Sequence, residues 1–420
     1  MIPTRIAFFA YAYNLAETTR AIEIAKALLA RGVEVRFFTH GGTHEGRITE
    51  AGFPLTKLSP LITPEKNAYL MDIDQGRRFG QFFDVTELSA YVSAEVEALH
   101  TFQPAAVYAG MNLPCILSAR AAGVPLVYLL PMAGTRPYFQ RGLAVFPEIF
   151  ENWLTRRLPQ SWKNKLINAL ALRLSFGVRS FNRVAKAYGL PRFRSTFGLL
   201  EGDLTLLTDL PELTGVAATH LPPGYRYVGP IFAHLPLPVP EEVRRVFGRP
   251  GLKVFCAMGS STPAPVLRKV LNALRTCKHN VVIATTSILD PAELQPLPEN
   301  VFATRYLPAP QVNEMADIAV THGGQGTVQT ALWAGTPIVG VALQFEQQSN
   351  LELIVRAGAG KRLPLKGLDE ETLLAGIEAV AQAASYRRNA QRIQKLMRSS
   401  DGAQQAADEI LRFLENSERS

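Results

Sequence analysis

The sequence predicts an α/β protein built from two Rossmann-like domains, and three observations support this prediction. Its 420 residues exceed the length over which a single hydrophobic core keeps growing, so two domains are expected. Short β-branched apolar runs alternate with longer stretches of helical periodicity, an order that produces parallel sheets. A proline-rich stretch, residues 229–241, has the composition of an extended linker between the two halves.

The first half of the chain begins with a strand, a helix over 16–31 that ends at Gly32, and a second strand. A further helix is predicted over 114–122, and residues 141–190 are predicted to be mostly helical. The predicted strands of this half are 4–10, 33–39, 105–109, 125–130 and, as the final one, 203–209.

The second half follows the linker as another α/β unit, starting near Gly251. Its last part shows alternating charge and apolar stripes, which predict three helices near 369–382, 385–398 and 402–416. We therefore expect domains at 1–228 and 242–400, joined by the linker, with residues 401–420 as a terminal helix.

Composition excludes several classes of protein. The chain is 47% apolar and 19% charged, as in ordinary globular proteins. Its three cysteines, Cys115, Cys256 and Cys277, are widely spaced in apolar contexts, which favours reduced thiols over disulfides or a metal site. The first residues enter a strand without a signal-peptide pattern, and no apolar run approaches the roughly 20 residues that cross a bilayer. We expect a cytoplasmic protein.

The most informative segment runs from the apolar strand Ile318–Val320 into Thr321-His322-Gly323-Gly324-Gln325-Gly326-Thr327, with a helix over Val328–Trp333. Glycines at a strand-to-helix turn let the backbone approach a ligand, and a helix start offers unpaired N–H groups to an anion. A histidine at this point can add a hydrogen bond or a positive charge. The pattern is neither a P-loop nor a dinucleotide-binding fingerprint, but it is typical of a phosphate site.

A second strand-end loop follows. The strand Ile338–Val341 leads to Phe345-Glu346-Gln347-Gln348-Ser349-Asn350. Two consecutive loops with polar groups therefore lie at the same edge of a predicted parallel sheet, which is where open α/β sheets bind ligands.

This order of residues resembles the donor-binding signature of the family 1 nucleotide-sugar-dependent glycosyltransferases, in particular the bacterial macrolide and natural-product enzymes. The resemblance is dense across 302–362 and thinner over the rest of the chain. It implies the GT-B fold, in which two Rossmann-like domains face each other across a cleft. The domain 1–228 would then bind the acceptor and 242–400 the donor, and the last helix would cross back to the first domain.

The resemblance also implies roles for individual residues. His322 and the turn that follows it would hold the donor diphosphate, Met258-Gly259-Ser260-Ser261 would form a second phosphate loop, and the backbone of Leu307 and Pro308 would meet the nucleobase. Glu346 and Gln347 stand where the family usually has Asp-Gln on the sugar hydroxyls. The predicted donor-binding residues are Gly259, Ser260, Ser261, Leu307, Pro308, His322, Gly323, Gly324, Gly326, Thr327, Glu346 and Gln347.

The catalytic dyad of the family is missing from the acceptor side. Inverting members use a histidine at the start of the first long helix, oriented by an aspartate after a later strand; here Glu17 and Gly110 occupy those positions. A second carboxylate would repel Glu17, so glycine at 110 is consistent with Glu17 as the base. The helix dipole should nevertheless keep Glu17 a weak base. The candidate acceptor-binding residues near this pair are Asn14, Gly110, Met111 and Asn112.

Two alternatives to Glu17 remain open. It can be an ordinary first-turn acid, or another group can be the base, with His40 and His44 after the second predicted strand as candidates. Surface-loop histidines are the commoner explanation for such a pair. Asp72-Ile73-Asp74 has a metal-binding spacing, but it lies in a predicted loop of the first domain. We interpret it as solvated acid and expect no metal and no cofactor other than the nucleotide sugar.

Positive charge is concentrated in one segment. Residues 130–200 contain twelve basic and two acidic side chains, a net charge of +10 against +8 for the whole chain. Within 150–190, aromatic and basic residues interleave; Trp162, Leu166, Ile167, Leu170 and Leu174 should share one helix face. This face packs on the N-terminal sheet and lines an acceptor pocket, or it contacts an anionic membrane. No nucleic-acid-binding signature is present.

Together these features predict an inverting glycosyltransferase that moves a hexose from a UDP- or dTDP-sugar to a hydroxyl of a hydrophobic small molecule. Three alternatives remain: a membrane-peripheral enzyme acting on a glycolipid, sterol or carotenoid; a catalytically silent nucleotide-binding relative that assists a partner enzyme; and a nucleotide-sugar epimerase. The Glu346-Gln347 pair argues against silence and the apolar 141–190 region against an epimerase.

Overall fold

A computed structural model describes residues 4–78, 80–232, 238–259, 262–286 and 288–418. Within these ranges the strands, in chain order, are β1 (Arg5–Phe9), β2 (Glu34–Thr39), β3 (Leu55–Lys57), β4 (Ala106–Ala109), β5 (Leu126–Leu130), β6 (Leu204–Leu207), β7 (Tyr225–Tyr227), β8 (Lys253–Ala257), β9 (Asn280–Ala284), β10 (Val301–Thr304), β11 (Ile318–Thr321), β12 (Ile338–Val341) and β13 (Gly360–Leu363).

Helices separate almost all of these strands. In chain order they are α1 (Leu15–Leu29), α2 (Glu45–Glu50), α3 (Pro64–Asp74), α4 (Val85–Phe102), α5 (Cys115–Ala121), α6 (Arg136–Gln140), α7 (Gln160–Arg173), α8 (Val178–Ala187), α9 (Pro211–Thr214), α10 (Glu241–Phe247), α11 (Ala264–Thr276), α12 (Ala309–Met315), α13 (Gln325–Trp333), α14 (Phe345–Arg356), α15 (Glu370–Gln382), α16 (Ala384–Arg398) and α17 (Gly402–Glu418).

The described residues divide into two compact units. The first contains residues 4–144, 164–232 and 401–418, and the second contains 145–163 and 238–400. The change from the first unit to the second between 232 and 238 lies inside the predicted linker 229–241, whereas segment 145–163, predicted in the first domain, belongs to the second unit. Polar contacts explain the difference: Glu148 accepts a hydrogen bond from Arg362 at 2.9 Å, and Gln348 binds the backbone of Glu148 and Phe146.

The first unit contains a seven-stranded parallel sheet with the order β3-β2-β1-β4-β5-β6-β7. Apolar clusters cover both faces of this sheet, one centred on Phe8 and Tyr108 and the other on Phe9 and Tyr128. Such double coverage is expected of parallel sheets, because their crossover helices lie on both faces. Five predicted strands of this half are present, but 203–209 is not the final one, since the short strands β3 and β7 extend the sheet at its edges.

The first helix shows how sequence sets local structure in this unit. Its N-cap, Asn14, is extended and its side-chain oxygen accepts the backbone N–H of Glu17 at 3.1 Å. Such a cap satisfies one of the donors left unpaired at a helix start. Residue Gly32 ends the segment with a φ of 80°, a left-handed conformation that glycine adopts at little cost.

The second unit contains a six-stranded parallel sheet with the order β10-β9-β8-β11-β12-β13. Its core lies on both faces of this sheet. The three helices predicted at the end of the chain are α15, α16 and α17. The last of them belongs to the first unit, where Ala406 and Ile410 are fully buried in the cluster that also contains residues of α1.

The two units confirm the predicted α/β class with two Rossmann-like parallel sheets. Among the described helices, none combines the length and the apolar character that crossing a membrane requires.

Candidate functional site

In each sheet, the strand order indicates where a ligand is expected to bind. In the second unit the chain starts at β8 and adds β9 and β10 on one side, then β11, β12 and β13 on the other. The first unit does the same around β1 and β4. Ligands of open α/β sheets bind at the carboxyl ends of the strands where the order reverses. The reversals fall between β8 and β11 and between β1 and β4, and most of the predicted site residues follow these strands.

In the second unit His322 follows β11, and Gly259 follows shortly after the neighbouring strand β8. The His322 side chain is 5% exposed, and its Nδ1 lies 3.5 Å from Thr321 Oγ1. Burial lowers the pKa of His322 to about 4, because an apolar surrounding disfavours the charged imidazolium. In the ligand-free protein this residue is therefore neutral at pH 7 and offers a hydrogen bond, not the positive charge that the sequence also allowed.

The glycines around His322 make room for its ring. A Cβ on Gly259 would lie 2.3 Å from Cε1 of His322, and a Cβ on Gly324 would lie 2.5 Å from its Nε2. The Cβ of an alanine at 323 would meet the backbone oxygen of Gln347 at 2.6 Å, and Gly323 also has a φ of 89°. Only at Gly326 would a Cβ meet nothing within 4 Å. Besides any role in ligand approach, three of these four glycines therefore leave room for neighbouring groups of the protein itself.

The start of α13 is organised by side-chain hydroxyls. Residue Gly324 is its N-cap, and within the described ranges no side-chain hydrogen bond caps this helix start; a helix start is the end of a helix that attracts an anion. Thr327 Oγ1 donates to the Gly324 carbonyl at 2.9 Å and lies 2.7 Å from Thr321 Oγ1. These bonds fix the turn between strand and helix in one conformation.

Residues 345–350, expected in a strand-end loop, form the first turns of α14, and their polar side chains lie close to this turn. Asn350 donates to the Gly323 carbonyl at 2.9 Å and to Glu346 Oε1 at 2.8 Å, which links α14 to the β11–α13 turn. Glu346 is half-buried. Gln347 is 2% exposed, and its Oε1 accepts the N–H of Leu343 at 2.9 Å. The structure thus brings Glu346 next to the glycine turn, while Gln347 orders its own loop.

The remaining predicted donor residues lie at other strand ends. Leu307 is buried in the core, and Pro308 is the N-cap of α12. Ser260 and Ser261, predicted to form the second phosphate loop together with Gly259, lie outside the described residues. Gly259 itself has a φ of 65°, a left-handed conformation that suits glycine.

In the first unit, Glu17 occupies the corresponding point between β1 and β4. Its side chain is 7% exposed; Oε1 accepts the N–H of Tyr11, after β1, at 3.3 Å. Among the described residues, Oε2 is buried without a hydrogen-bond partner. A buried unpaired carboxylate oxygen costs free energy, and such groups persist mainly where function requires them.

The environment of Glu17 changes its acidity. Burial raises the pKa of this carboxyl to about 7, while the nearby backbone N–H groups of Met111, Tyr11 and Gly110 and the charge of Arg20 act in the opposite direction. The sequence suggested that the helix dipole would keep Glu17 a weak base. That expectation was wrong, because burial outweighs the dipole. A carboxyl with a pKa near 7 is suited to accept a proton at neutral pH.

Gly110 is required by the position of Glu17. A Cβ at residue 110 would lie 2.4 Å from Glu17 Oε1 and 2.6 Å from its Cδ. The glutamate therefore extends into the space that any side chain at 110 would fill. Charge repulsion between two carboxylates would disfavour an acid at 110. In the structure, the close approach of Glu17 already disfavours any side chain at that position.

Three of the four candidate acceptor residues surround Glu17. Asn14 caps its helix and donates from Nδ2 to Met111 Sδ at 3.3 Å, and Gly110 and Met111 provide nearby backbone. Asn112 differs, because its amide donates to Glu95 Oε1 at 2.8 Å inside the unit.

The two histidines considered as alternative bases have different surroundings. His40 is 4% exposed, so it is not the surface-loop residue expected for this segment. Its Nδ1 lies 2.8 Å from the Pro60 carbonyl and its Nε2 3.3 Å from Glu95 Oε1, so both ring nitrogens are engaged. His44 is half-buried at the start of α2, and burial followed by the charge of Arg47 lowers its pKa.

The Asp72-Ile73-Asp74 motif is in the last turn of α3, not in a loop. Asp72 pairs with Arg77 at 2.7 Å. Within the part of the chain that the structure describes, no three His, Cys, Asp or Glu side chains are grouped so that they could hold a metal ion.

No local pattern in the sequence indicates the burial of Glu17 or the contact between Gly259 and His322. The signal that could have located both is the strand order, because β1 with β4 and β8 with β11 become neighbours only when the sheets form.

Comparison with known proteins places these sites in context. A family model described as "Erythromycin biosynthesis protein CIII-like, C-terminal domain" matches residues 268–413. A relative named PGL/p-HBAD biosynthesis rhamnosyltransferase, from Mycobacterium bovis, is 29% identical over 398 residues, which are 93% of this chain and 83% of the relative.

Solved structures share the fold at lower identity. The glycotransferase of kitacinnamycin superposes with a TM-score of 0.71 at 18% identity and covers 98% of this chain and 100% of its own. Glycosyltransferase VinC in complex with DTDP has a TM-score of 0.67 at 19% identity, with 98% and 100% covered.

Proposed function

Because this chain is a glycosyltransferase with the GT-B fold, we propose that it transfers a hexose from a nucleoside diphosphate sugar to a hydroxyl of a hydrophobic small molecule, with inversion at the anomeric carbon. The acceptor oxygen forms a bond to that carbon while the bond to the diphosphate oxygen breaks. The hydroxyl proton passes to a base of the protein, and the electron pair leaves with the diphosphate.

One observation carries the inverting part of the proposal: Glu17 is buried, its pKa is near neutral, and its Oε2 has no partner among the described residues. A base with these properties is ionised over much of the physiological range and binds the acceptor proton directly. The Tyr11 N–H and the Asn14 cap fix its position, so little reorganisation is needed when the hydroxyl arrives.

Stabilisation of the leaving group is assigned to the β11–α13 turn. A diphosphate at the helix start would meet backbone N–H groups and the positive end of the helix dipole. The buried imidazole of His322, held between Gly259 and Gly324, would add a hydrogen bond. Such preorganised donors are worth more in a buried site than in water. We propose that they act without a metal ion or another cofactor.

The choice of substrates draws on the relatives. The donor we favour is a thymidine diphosphate sugar, since one structural neighbour was solved with dTDP and one relative is named a rhamnosyltransferase; UDP-sugars are the second choice. The residues near Glu17 favour an apolar acceptor. The rings of Tyr11 and Tyr13 lie 6.1 Å apart, and Met111 is next to Gly110.

The deciding experiment measures transfer from dTDP- and UDP-hexoses to phenolic, polyketide and lipid alcohols with the wild type and Glu17→Gln. We expect the variant to lose about 10²–10⁴-fold in kcat, because it cannot accept the proton. Its affinity for dTDP should stay unchanged. Gly110→Ala should lower kcat as well, since the added Cβ displaces the carboxylate.

The result that contradicts the proposal is full transfer by Glu17→Gln. Transfer that proceeds with retention at the anomeric carbon would also contradict it. If dTDP and UDP both fail to bind the wild type, the assignment of the β11–α13 turn is wrong as well.

A further inference from the structure

Helix α7 exposes its apolar side to solvent and buries polar side chains on the opposite side. Its apolar residues Trp162, Leu166 and Leu170 are 65%, 49% and 49% exposed, while Lys163 and Asn168 are each only 5% exposed. Residues four apart lie on the same side of a helix, so the three apolar side chains form an outward stripe. The sequence offered packing on the N-terminal sheet as one fate of this stripe, and the structure shows instead that it is exposed.

Polar bonds hold the inward side of α7. Lys163 forms an ion pair with Glu151, and its ammonium lies 5.6 Å from the ring centroid of Phe146. Asn168 accepts the N–H of Ala144 at 3.2 Å and donates to its carbonyl at 2.8 Å. The orientation of the helix is therefore specified by contacts that keep its apolar side outward.

The chain on either side of α7 continues the same composition. Exposed large apolar side chains flank the helix, and they are Ile149 (46%), Phe150 (48%), Trp153 (71%), Leu154 (57%), Leu158 (40%) and Leu174 (53%). Isolated exposed apolar residues are normal, but a concentration of this kind marks a surface that binds something.

Basic side chains are interspersed with these apolar ones. Arg156, Arg157, Lys165 and Arg173 are exposed, and none of them forms an ion pair within the described residues. Arg157 lies 5.4 Å from the centroid of the Trp153 ring. Over 149–174 the chain has five basic residues and one acid, Glu151, which Lys163 already pairs.

We propose that the outward side of α7 binds the face of a bilayer that contains anionic phospholipid. Tryptophan and leucine insert at the boundary between headgroups and acyl chains, where aromatic rings are favoured, while arginine and lysine remain at the level of the phosphates. The unpaired positive charge distinguishes this occupant from a second copy of the chain, because a copy would bring the same four cations into a like-charged contact. The proposal does not depend on which sugar or acceptor the enzyme uses.

The test is flotation of the purified full-length chain with phosphatidylcholine vesicles, with and without about 30 mol % phosphatidylglycerol. Anionic vesicles should bind at least tenfold more protein. Lys165→Ser with Arg173→Ser should reduce the partition coefficient about 30-fold, since each basic residue near an anionic surface contributes about fivefold. Leu166→Ser with Leu170→Ser should give a loss of similar size, because about half of each side chain is available for insertion.

Matched controls test whether the loss of binding is specific to this surface or follows from removing any exposed charge or apolar side chain. Arg388→Ser with Arg392→Ser removes two exposed charges from α16, and Leu29→Ser removes a leucine that is 57% exposed at the end of α1. Both controls should change partitioning less than twofold. Because all substituted side chains are exposed, the variants should melt like the wild type.

Three outcomes overturn the proposal. Binding that is equal on neutral and anionic vesicles does so, and so does a partition coefficient that the segment variants leave unchanged. The third is a stable dimer in solution in which Trp153 and Trp162 are shielded from a soluble quencher, which would assign the surface to a second copy.

Discussion

At the scale of single residues, burial decides the chemistry of both candidate sites, and it does so in opposite directions. The same loss of water contact raises the pKa of the Glu17 carboxyl to about 7 and lowers that of the His322 imidazole to about 4. In each case the neutral form is favoured, because a low-dielectric surrounding penalises charge. For the glutamate this creates a base matched to neutral pH; for the histidine it creates a neutral hydrogen-bonding group.

The first prediction concerns the pH dependence of the reaction. Glu17 must be ionised to accept a proton, so kcat/KM should fall as the pH decreases through about 7, the pKa raised by burial. The measurement is a pH–rate profile between pH 5 and 9 with substrates that do not titrate there. A profile that stays flat through pH 7 would show that the reaction does not depend on a base with the raised pKa of Glu17.

The same pKa predicts a stability effect that is independent of substrates. Since the folded-state pKa of Glu17, about 7, lies above its ordinary value of 4.5, the folded protein binds the proton more tightly than the unfolded chain. This contribution is fully present below pH 4.5 and is lost as the pH rises through 7, a change of about 3 kcal/mol. By urea denaturation, Glu17→Gln should therefore equal the wild type at low pH and exceed it at pH 8. Identical stability at both pH values would contradict the burial argument.

At the scale of elements, the turn between β11 and α13 combines two kinds of glycine. Gly323 and Gly324 are needed by the protein itself, because added side chains would collide with Gln347 O and with the His322 ring. Gly326 has open space at the position of a Cβ. The sequence alone does not distinguish the three glycines, because the space around each of them is set by the folded structure.

This difference gives a second prediction. Gly326→Ala should leave the ligand-free fold intact or stabilise it by about 0.5 kcal/mol, because alanine is the better helix former. If the donor diphosphate docks at this helix start, the same methyl group meets the ligand and dTDP binding weakens tenfold or more, which is about 1.4 kcal/mol. Calorimetric titration with dTDP and a thermal melt measure the two effects.

The contrasting variant is Gly324→Ala, which should lower both stability and dTDP affinity because His322 must move. Unchanged dTDP affinity in Gly326→Ala would mean that the ligand does not approach this turn.

At the scale of the whole molecule, each of the two units is built from segments that are not consecutive in the sequence. Segment 145–163 belongs to the second unit and α17 to the first. In α17, Ala403, Ala406, Ala407, Ile410 and Leu414 are buried in the core of the first unit. Asp408 adds an ion pair of 2.6 Å with Arg31.

The third prediction follows from this docking. Truncation after Ser400 should destabilise the first unit by about 5 kcal/mol or more, since it removes two large buried aliphatic side chains, Ile410 and Leu414, and exposes their partners. Hydrogen exchange should show loss of protection in α1 and β1 but not in β8 and β11. Truncation after Glu415, which leaves Ile410 and Leu414 in place, is the control. Equal loss of protection in both units would contradict the assignment of α17 to the first.

Local sequence patterns predict much of this fold and of its donor site. Alternating β-branched runs and helical periodicities identified the class and the long elements, because those patterns reflect backbone geometry and one-sided burial. The residues at 318–350 indicated the similarity to glycosyltransferases, since that order of glycine, histidine and acid–amide pair is read directly from the chain. Short edge strands such as β7 carried too little pattern to be found.

The use of those residues depends on contacts that form when the chain folds. The proton affinity of Glu17, the need for Gly110, the ring of His322 between two glycines and the outward stripe of α7 all depend on which distant segments come together. Burial and steric exclusion are properties of the space around a side chain, and that space is created by neighbours far away in the chain. A local pattern specifies the residue and its element but not the solvent that folding removes from it.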